Sequence, residues 1–120
     1  MKVRPTKDFL TWYQRLAKDH RRVVAALLTY LHGLDDTPSE PTAMLRPLVQ
    51  AERHALWRIK HPHHDDYAFR LIVWFSDFEP GVAYLLFGGD KTGLHDIFYN
   101  RAGNESQSRV DQIIPTQKEP

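Results

Sequence analysis

Three apolar segments beyond the middle of the chain are joined by links short enough for hairpins. They read LWRIKH (56–61), YAFRLIVWF (67–75) and VAYLLFG (82–88), with only PHHDD and SDFEPG between them. Their aromatic and β-branched content suits strands, and links of this length fit antiparallel pairs. Side chains alternate across a strand, so the first two segments sort by parity. Trp57, Ile59, Phe69, Leu71, Val73 and Phe75 fall on odd positions and are expected to pack against helices. Arg58, Lys60 and Arg70 fall on even positions. If the turn closes His61 on Tyr67, these three share one face of the hairpin, away from the core. Like charges gathered on one face of a sheet repel one another and so invite an anion.

The rest of the chain supplies helices. Thr6 is a plausible cap, and Phe9, Trp12, Tyr13, Leu16 and Ala17 recur at three- and four-residue spacing. Val23, Val24, Leu27, Leu28 and Leu31 continue the stripe to Gly33, with Asp19 as a candidate cap for a second helix. The segment 1–5 looks extended, and 35–41 is a loop with two prolines. Residues 44–49 fit either a strand fragment or an ordered loop. After the last strand, 94–101 is expected to form a short helix. A second, over 103–114, would be capped by Asn104, and 115–120 would be a flexible tail. The expected fold is α+β: two N-terminal helices on a small twisted antiparallel sheet, with a C-terminal helix. One domain over 1–114 suits a chain of 120 residues.

Composition narrows the function. Hydrophobic residues make up 42%, enough to fold. There is no cysteine, which removes disulfides, thiol nucleophiles and thiolate-bound zinc. The start, MKVRPTKDFL, lacks the apolar run of a signal peptide, and no stretch has the length of a membrane span, so a cytoplasmic protein with no membrane partner is expected. The net charge of +1 is mild, but its distribution is uneven. Arg53, His54, Arg58, Lys60, His61, His63, His64 and Arg70 crowd one region, while the acids lie mostly at 35–40 and from Asp77 onward. A local basic field draws in phosphate even at near-zero total charge.

This order of elements, with the residues on it, resembles the RelE/ParE toxin superfamily, whose fold is microbial RNase-like. TKDFLTWYQRLAKDHRRVVAALLTYL looks like the opening helical pair, and MLRPLVQAERHALWRIKH like the approach to a strand ending in Arg and a basic residue. YAFRLIVWF looks like the strand with a central arginine, here Arg70, and VAYLLFGGDKTG like the last strand with its basic exit. TGLHDIFY resembles the exit of the YafQ-like branch of these RelE/HigB/YafQ-like toxins, where a histidine precedes an aromatic residue by one helical turn. The likeness covers roughly 3 to 114. It implies the toxin of a type II toxin–antitoxin system, an mRNA endonuclease usually acting on the ribosome, held by a cognate antitoxin. It implies no metal and no cofactor: the ribose 2′-OH attacks the neighbouring phosphate, leaving a 2′,3′-cyclic phosphate and a 5′-OH.

That chemistry needs a base, cations on the phosphorane and an acid for the leaving oxygen. Arg70 is the candidate for the phosphorane, since a guanidinium holds two oxygens at once; an ion pair with Asp66 is the structural alternative. Arg58 and Lys60 would hold phosphate, or simply solubilise a surface. Lys60 would serve as base only if its cationic neighbours lowered its pKa. His95 is the acid or base candidate, because histidine titrates near neutrality. Tyr99, one turn later, would stack on a base or donate its hydroxyl, or else fill the core. His61, His64 and Lys91 are candidate RNA contacts. The run His61, His63, His64, Asp65, Asp66 is too local to make a convincing metal site, and GGDKTG lacks the paired Lys-Ser/Thr of a nucleotide P-loop. Two other functions fit the same architecture: a gyrase-directed binder of the ParE kind, and a non-catalytic protein-binding relative.

Overall fold

The computed structural model describes residues 1–60, 69–90 and 95–118, and only the backbone of 95–97 and 116–118. The chain runs through β1 (Lys2–Pro5), α1 (Lys7–Gln14), α2 (Lys18–His32), β2 (Leu45–Pro47), β3 (Leu56–Lys60), β4 (Phe69–Phe75), β5 (Val82–Asp90) and α3 (His95–Lys118). The fold is α+β, as the order of apolar patterns predicts. Thr6 caps α1 as expected, its hydroxyl accepting the Phe9 N–H at 3.3 Å. Asp19 does not cap α2; it lies in the first turn behind Ala17, which offers no side-chain cap. Gly33 closes α2.

The five strands lie in the order β1-β5-β4-β3-β2. The three central hairpin strands and β2 are antiparallel, but β1 pairs in parallel with β5, Lys2 opposite Val82. The sheet is therefore mixed and not wholly antiparallel. The chain leaves β1 at one edge, crosses the sheet through α1 and α2, and re-enters at the other edge as β2, which frees β1 from any hairpin partner.

Each face of the sheet has its own core. The odd-numbered side chains Ile59, Phe69, Leu71, Val73 and Phe75 pack with Phe9, Val24, Leu27 and Leu31 of α1 and α2. Trp57 joins them while half-buried. The even-numbered Leu56, Ile72 and Trp74 pack with Phe98, Tyr99, Ala102 and Val110 of α3. Burying about ten aliphatic and aromatic side chains per face supplies the main driving force, at roughly 25 cal/mol per Å².

Two further details differ from the sequence reading. Lys60 pairs with Arg70, and Arg58 with Ile72, so the β3–β4 register is shifted by two residues from a closure of His61 on Tyr67. A shift of two keeps parity, and every side chain stays on its expected face. The second difference is α3, which is one helix through Gly103, Asn104 and Pro115, not two helices and a tail. Gly103 acts as a notch: a Cβ there would lie 3.4 Å from the Gln50 carbonyl oxygen, so the glycine admits the 48–51 loop against the helix. Ile113 and Ile114, packed on the second core, hold the turn that Pro115 weakens.

β5 carries a bulge. Ile72 pairs with Phe87 but Val73 with Leu85, so Leu86 is the extra residue. The parity of β5 flips there. Ala83 and Leu85 face α1 and α2, whereas both Leu86 and Phe87 turn toward α3.

Candidate anion site on the even face

The even face is where α3 fails to cover the whole sheet. α3 crosses β4 and β5, and the ends of β3 and β4 carry Arg58, Lys60 and Arg70, each partly exposed. Cross-strand pairing sets Lys60 directly opposite Arg70. Directly opposed residues stand only about 5 Å apart, so two cations are held close together. Among the described residues none of the three has a carboxylate partner.

Tyr99 organises the two arginines. Its ring is buried between Phe98, edge-on at 5.3 Å, and the Arg58 guanidinium, which lies 4.7 Å from its centroid. Its hydroxyl accepts the Arg70 Nε–H at 3.3 Å. A second donor of Arg70, at Nη1, goes to the Phe69 carbonyl at 2.9 Å. These bonds fix Nε and Nη1, while Nη2 makes no bond to any described residue and is left to donate to an oxyanion. With its ring covered, Tyr99 is a core aromatic with a polar tip, and it offers no exposed surface on which a base stacks.

The other expected residues divide. His95 opens α3 one turn ahead of Tyr99, and only its backbone is described. His61, His63, His64, Asp65, Asp66 and Lys91 lie outside the described residues. Arg53 and His54 belong to a different structure from the one their sequence position suggests. Arg53 pairs with Asp111 of α3 at 2.8 Å, and His54 Nε2 lies 2.7 Å from the other oxygen of the same carboxylate. The Arg53 N–H donates to Gln107 Oε1. Together these bonds fasten the loop before β3 to α3. His54, then Arg53, hold the Asp111 carboxyl below its ordinary value.

Sequence reasoning missed a second arginine centre. Arg109 of α3 pairs with Asp8 of α1 at 3.1 Å, and its Nη1 donates to the Leu86 carbonyl on the edge of β5. The only local signal is the Glu105–Arg109 spacing of four residues, which the structure uses at 3.6 Å. The contact to Asp8 joins residues a hundred positions apart, and no local pattern encodes it. Among the described residues, no group of three or more histidine, aspartate or glutamate side chains is placed to hold a metal ion, and no helix is long and apolar enough to cross a membrane.

What the cluster can do follows from its parts. Three cations on one partly covered face, one with two of its donors fixed and Nη2 without a bond to any described residue, have the chemistry to bind an oxyanion. No protein-family model matches this chain, and neither a curated protein nor a solved structure matches it.

Proposed function

We propose that the chain is the toxin of a type II toxin–antitoxin system in the RelE/ParE manner, a metal-independent endoribonuclease that cuts mRNA in the cytoplasm, on the ribosome. The observation that carries this reading is the Arg58–Lys60–Arg70 cluster, cations with no carboxylate partner among the described residues, and with Arg70 held in place by Tyr99. Arg70 contacts the phosphorane through its Nη2 donors, and Lys60 and Arg58 share the developing charge. The 2′-OH of the upstream nucleotide attacks phosphorus. Its proton leaves to a base, the 2′,3′-cyclic phosphate forms, and the 5′-oxygen departs with a proton from an acid. His95, at the head of α3 one turn from Tyr99, fills the acid role, and Lys60 is the candidate base. A cation cluster of this kind must be covered in the cell that makes it, and an acidic segment of a cognate antitoxin is the matching cover.

The test is a cleavage assay on RNA with ribosomes present. Cleavage should leave a 2′,3′-cyclic phosphate, persist in EDTA, and vanish when the upstream nucleotide, whose 2′-OH attacks, is 2′-deoxy. A 5′-thio leaving group needs no proton and should restore much of what His95→Ala loses. Cleavage of the 2′-deoxy substrate, or its arrest by EDTA, would discard the mechanism. Full toxicity in the Arg70→Ala, His95→Ala double variant would point to a target reached by binding alone, such as gyrase.

A further inference from the structure

A cleft of about 530 Å³ lies between α1 and α3, floored by the outer end of β5. Its origin is topological. β1 stops at Pro5, the Thr6 N–H takes the Leu85 carbonyl, and the chain turns away into α1. From 86 to 90, β5 therefore has no neighbouring strand on that side among the described residues. Gly88 and Gly89 keep the floor bare. A Cβ on Gly88 would meet Trp12 at 2.3 Å, and one on Gly89 would meet Phe98 at 2.7 Å, so aromatic rings press on both faces of the strand. Phe87 adds a third ring. Two exposed arginines complete the lining: Arg15, with no carboxylate partner among the described residues, and Arg101, whose carboxylate partner among them is Glu105 one turn along the helix. The acids Asp8, Asp90 and Glu105 also line the cleft; Arg109 engages Asp8 and Glu105, and Asp90 stands exposed at the end of β5.

This cleft adjoins the Arg70 cluster at two points. Gly89 is the cross-strand partner of Arg70, and Phe98 is the residue before Tyr99. The half-buried rings of Trp12 and Phe87 suit a nucleobase of any identity, the strand edge beyond Leu86 suits a base edge, and arginines at an open rim suit the flanking phosphates. We propose that the cleft is a nucleoside subsite, which takes a base of the same RNA strand whose phosphate Arg70 holds. The inference rests on the function proposed above and adds to it the place where the strand is gripped beside the scissile bond. A bare strand edge also suits an extended peptide. The two rim arginines and the shared boundary with Arg70 favour the nucleotide.

The probe is a labelled RNA pentamer with 2′-deoxy at the attacking nucleotide, so that it binds without being cut. Each base in turn is replaced by an abasic ribose, and binding is read by anisotropy and by the Gly88 and Gly89 amide NMR signals. One position next to the target should lose about tenfold or more in affinity when abasic, as loss of a stacked base does. Trp12→Phe should shrink that penalty. Arg15→Ala with Arg101→Ala, both on exposed side chains, should lower the salt slope by about 1.4, roughly 0.7 for each phosphate contact. Equal penalties at all five positions, or glycine signals that RNA leaves unmoved, would overturn the subsite. If Arg70→Ala still weakens binding in that case, the proposed function survives without it. If RNA does not bind at low salt, or binds the Arg70→Ala variant equally well, both readings fall. Movement of the glycine signals by an alternating valine–threonine peptide but not by RNA would assign the edge to a protein strand and overturn the proposal.

Discussion

The two faces of the sheet are made by the same strands and used differently. Ile59, Leu71 and Val73 are wholly buried beneath α1 and α2, a face closed by aliphatic contact. One residue away along the same strands, Arg58, Lys60 and Arg70 are only partly covered by α3. Alternation with period two lets a single strand serve two environments, so stability and chemistry need not compete for the same positions. The odd face tolerates no polar group because it is sealed. The even face tolerates three cations because one end of it meets water, which lowers the cost of bringing like charges together.

Adjacent residues on β4 give the sharpest way to break this contrast. Leu71→Ala should cost about 2–5 kcal/mol of unfolding free energy, as truncation in a sealed core does, and should reduce activity only through loss of folded protein. Arg70→Ala should cost about 1 kcal/mol, the worth of its hydrogen bonds to Tyr99 and Phe69, and should lower cleavage by about 10²-fold or more in protein that remains folded. Chemical denaturation and single-turnover cleavage on both variants separate the two effects. A large stability loss in Arg70→Ala would erase the distinction between the faces.

Tyr99→Phe comes next. It keeps the ring beneath Arg58 and removes the oxygen that accepts from Arg70 Nε. Stability should fall by about 1 kcal/mol. Cleavage should fall by roughly five- to tenfold in kcat with KM little changed, because Arg70 stays present but is aimed less well. If KM alone rises, Tyr99 contributes to ground-state binding and does not position the arginine.

The smallest effect belongs to the loop clasp. The Asp111 carboxyl is held below its ordinary value by the bond to His54 and the charge of Arg53. A depressed carboxyl stabilises the fold above its unfolded pKa, near 3.8, and that contribution disappears as pH falls through the lower folded value. Asp111→Asn should therefore lower the melting temperature slightly at pH 6, where the wild-type carboxylate is ionised, and the difference should close as the pH is taken below 3. A gap that stays constant with pH would mean the clasp is not electrostatic.

Much of this division is legible in the sequence, and the reason is parity. Phe69, Leu71, Val73 and Phe75 can be assigned to one face without knowing the register, and that assignment survives the two-residue difference in pairing. The register itself is not legible. It depends on how the turn after Lys60 closes and on side-chain fit, neither of which leaves a periodic mark. The bulge at Leu86 leaves no mark in the sequence, because 82–87 is an unbroken hydrophobic run without alternation. Gly103 and Asn104 carry the marks of a helix boundary, yet tertiary packing against Gln50 and the second core overrides them. Arg58, Lys60 and Arg70 could be grouped from the sequence because they share strands. Arg15, Arg101 and Arg109 could not, since only the meeting of α1 with α3 brings them together.

The parallel pairing of β1 with β5 also sets a timetable for biosynthesis. Lys2 finds its partner Val82 only after some eighty further residues have been made, and Arg70 reaches Tyr99 later still. At about 5–20 residues per second, the first strand waits roughly 4–16 s for the fifth. An early fragment of the chain has neither a closed sheet nor an aligned guanidinium. A chain that acts on translating ribosomes would in this way be harmless to the ribosome that is making it until the segment carrying Tyr99 has emerged.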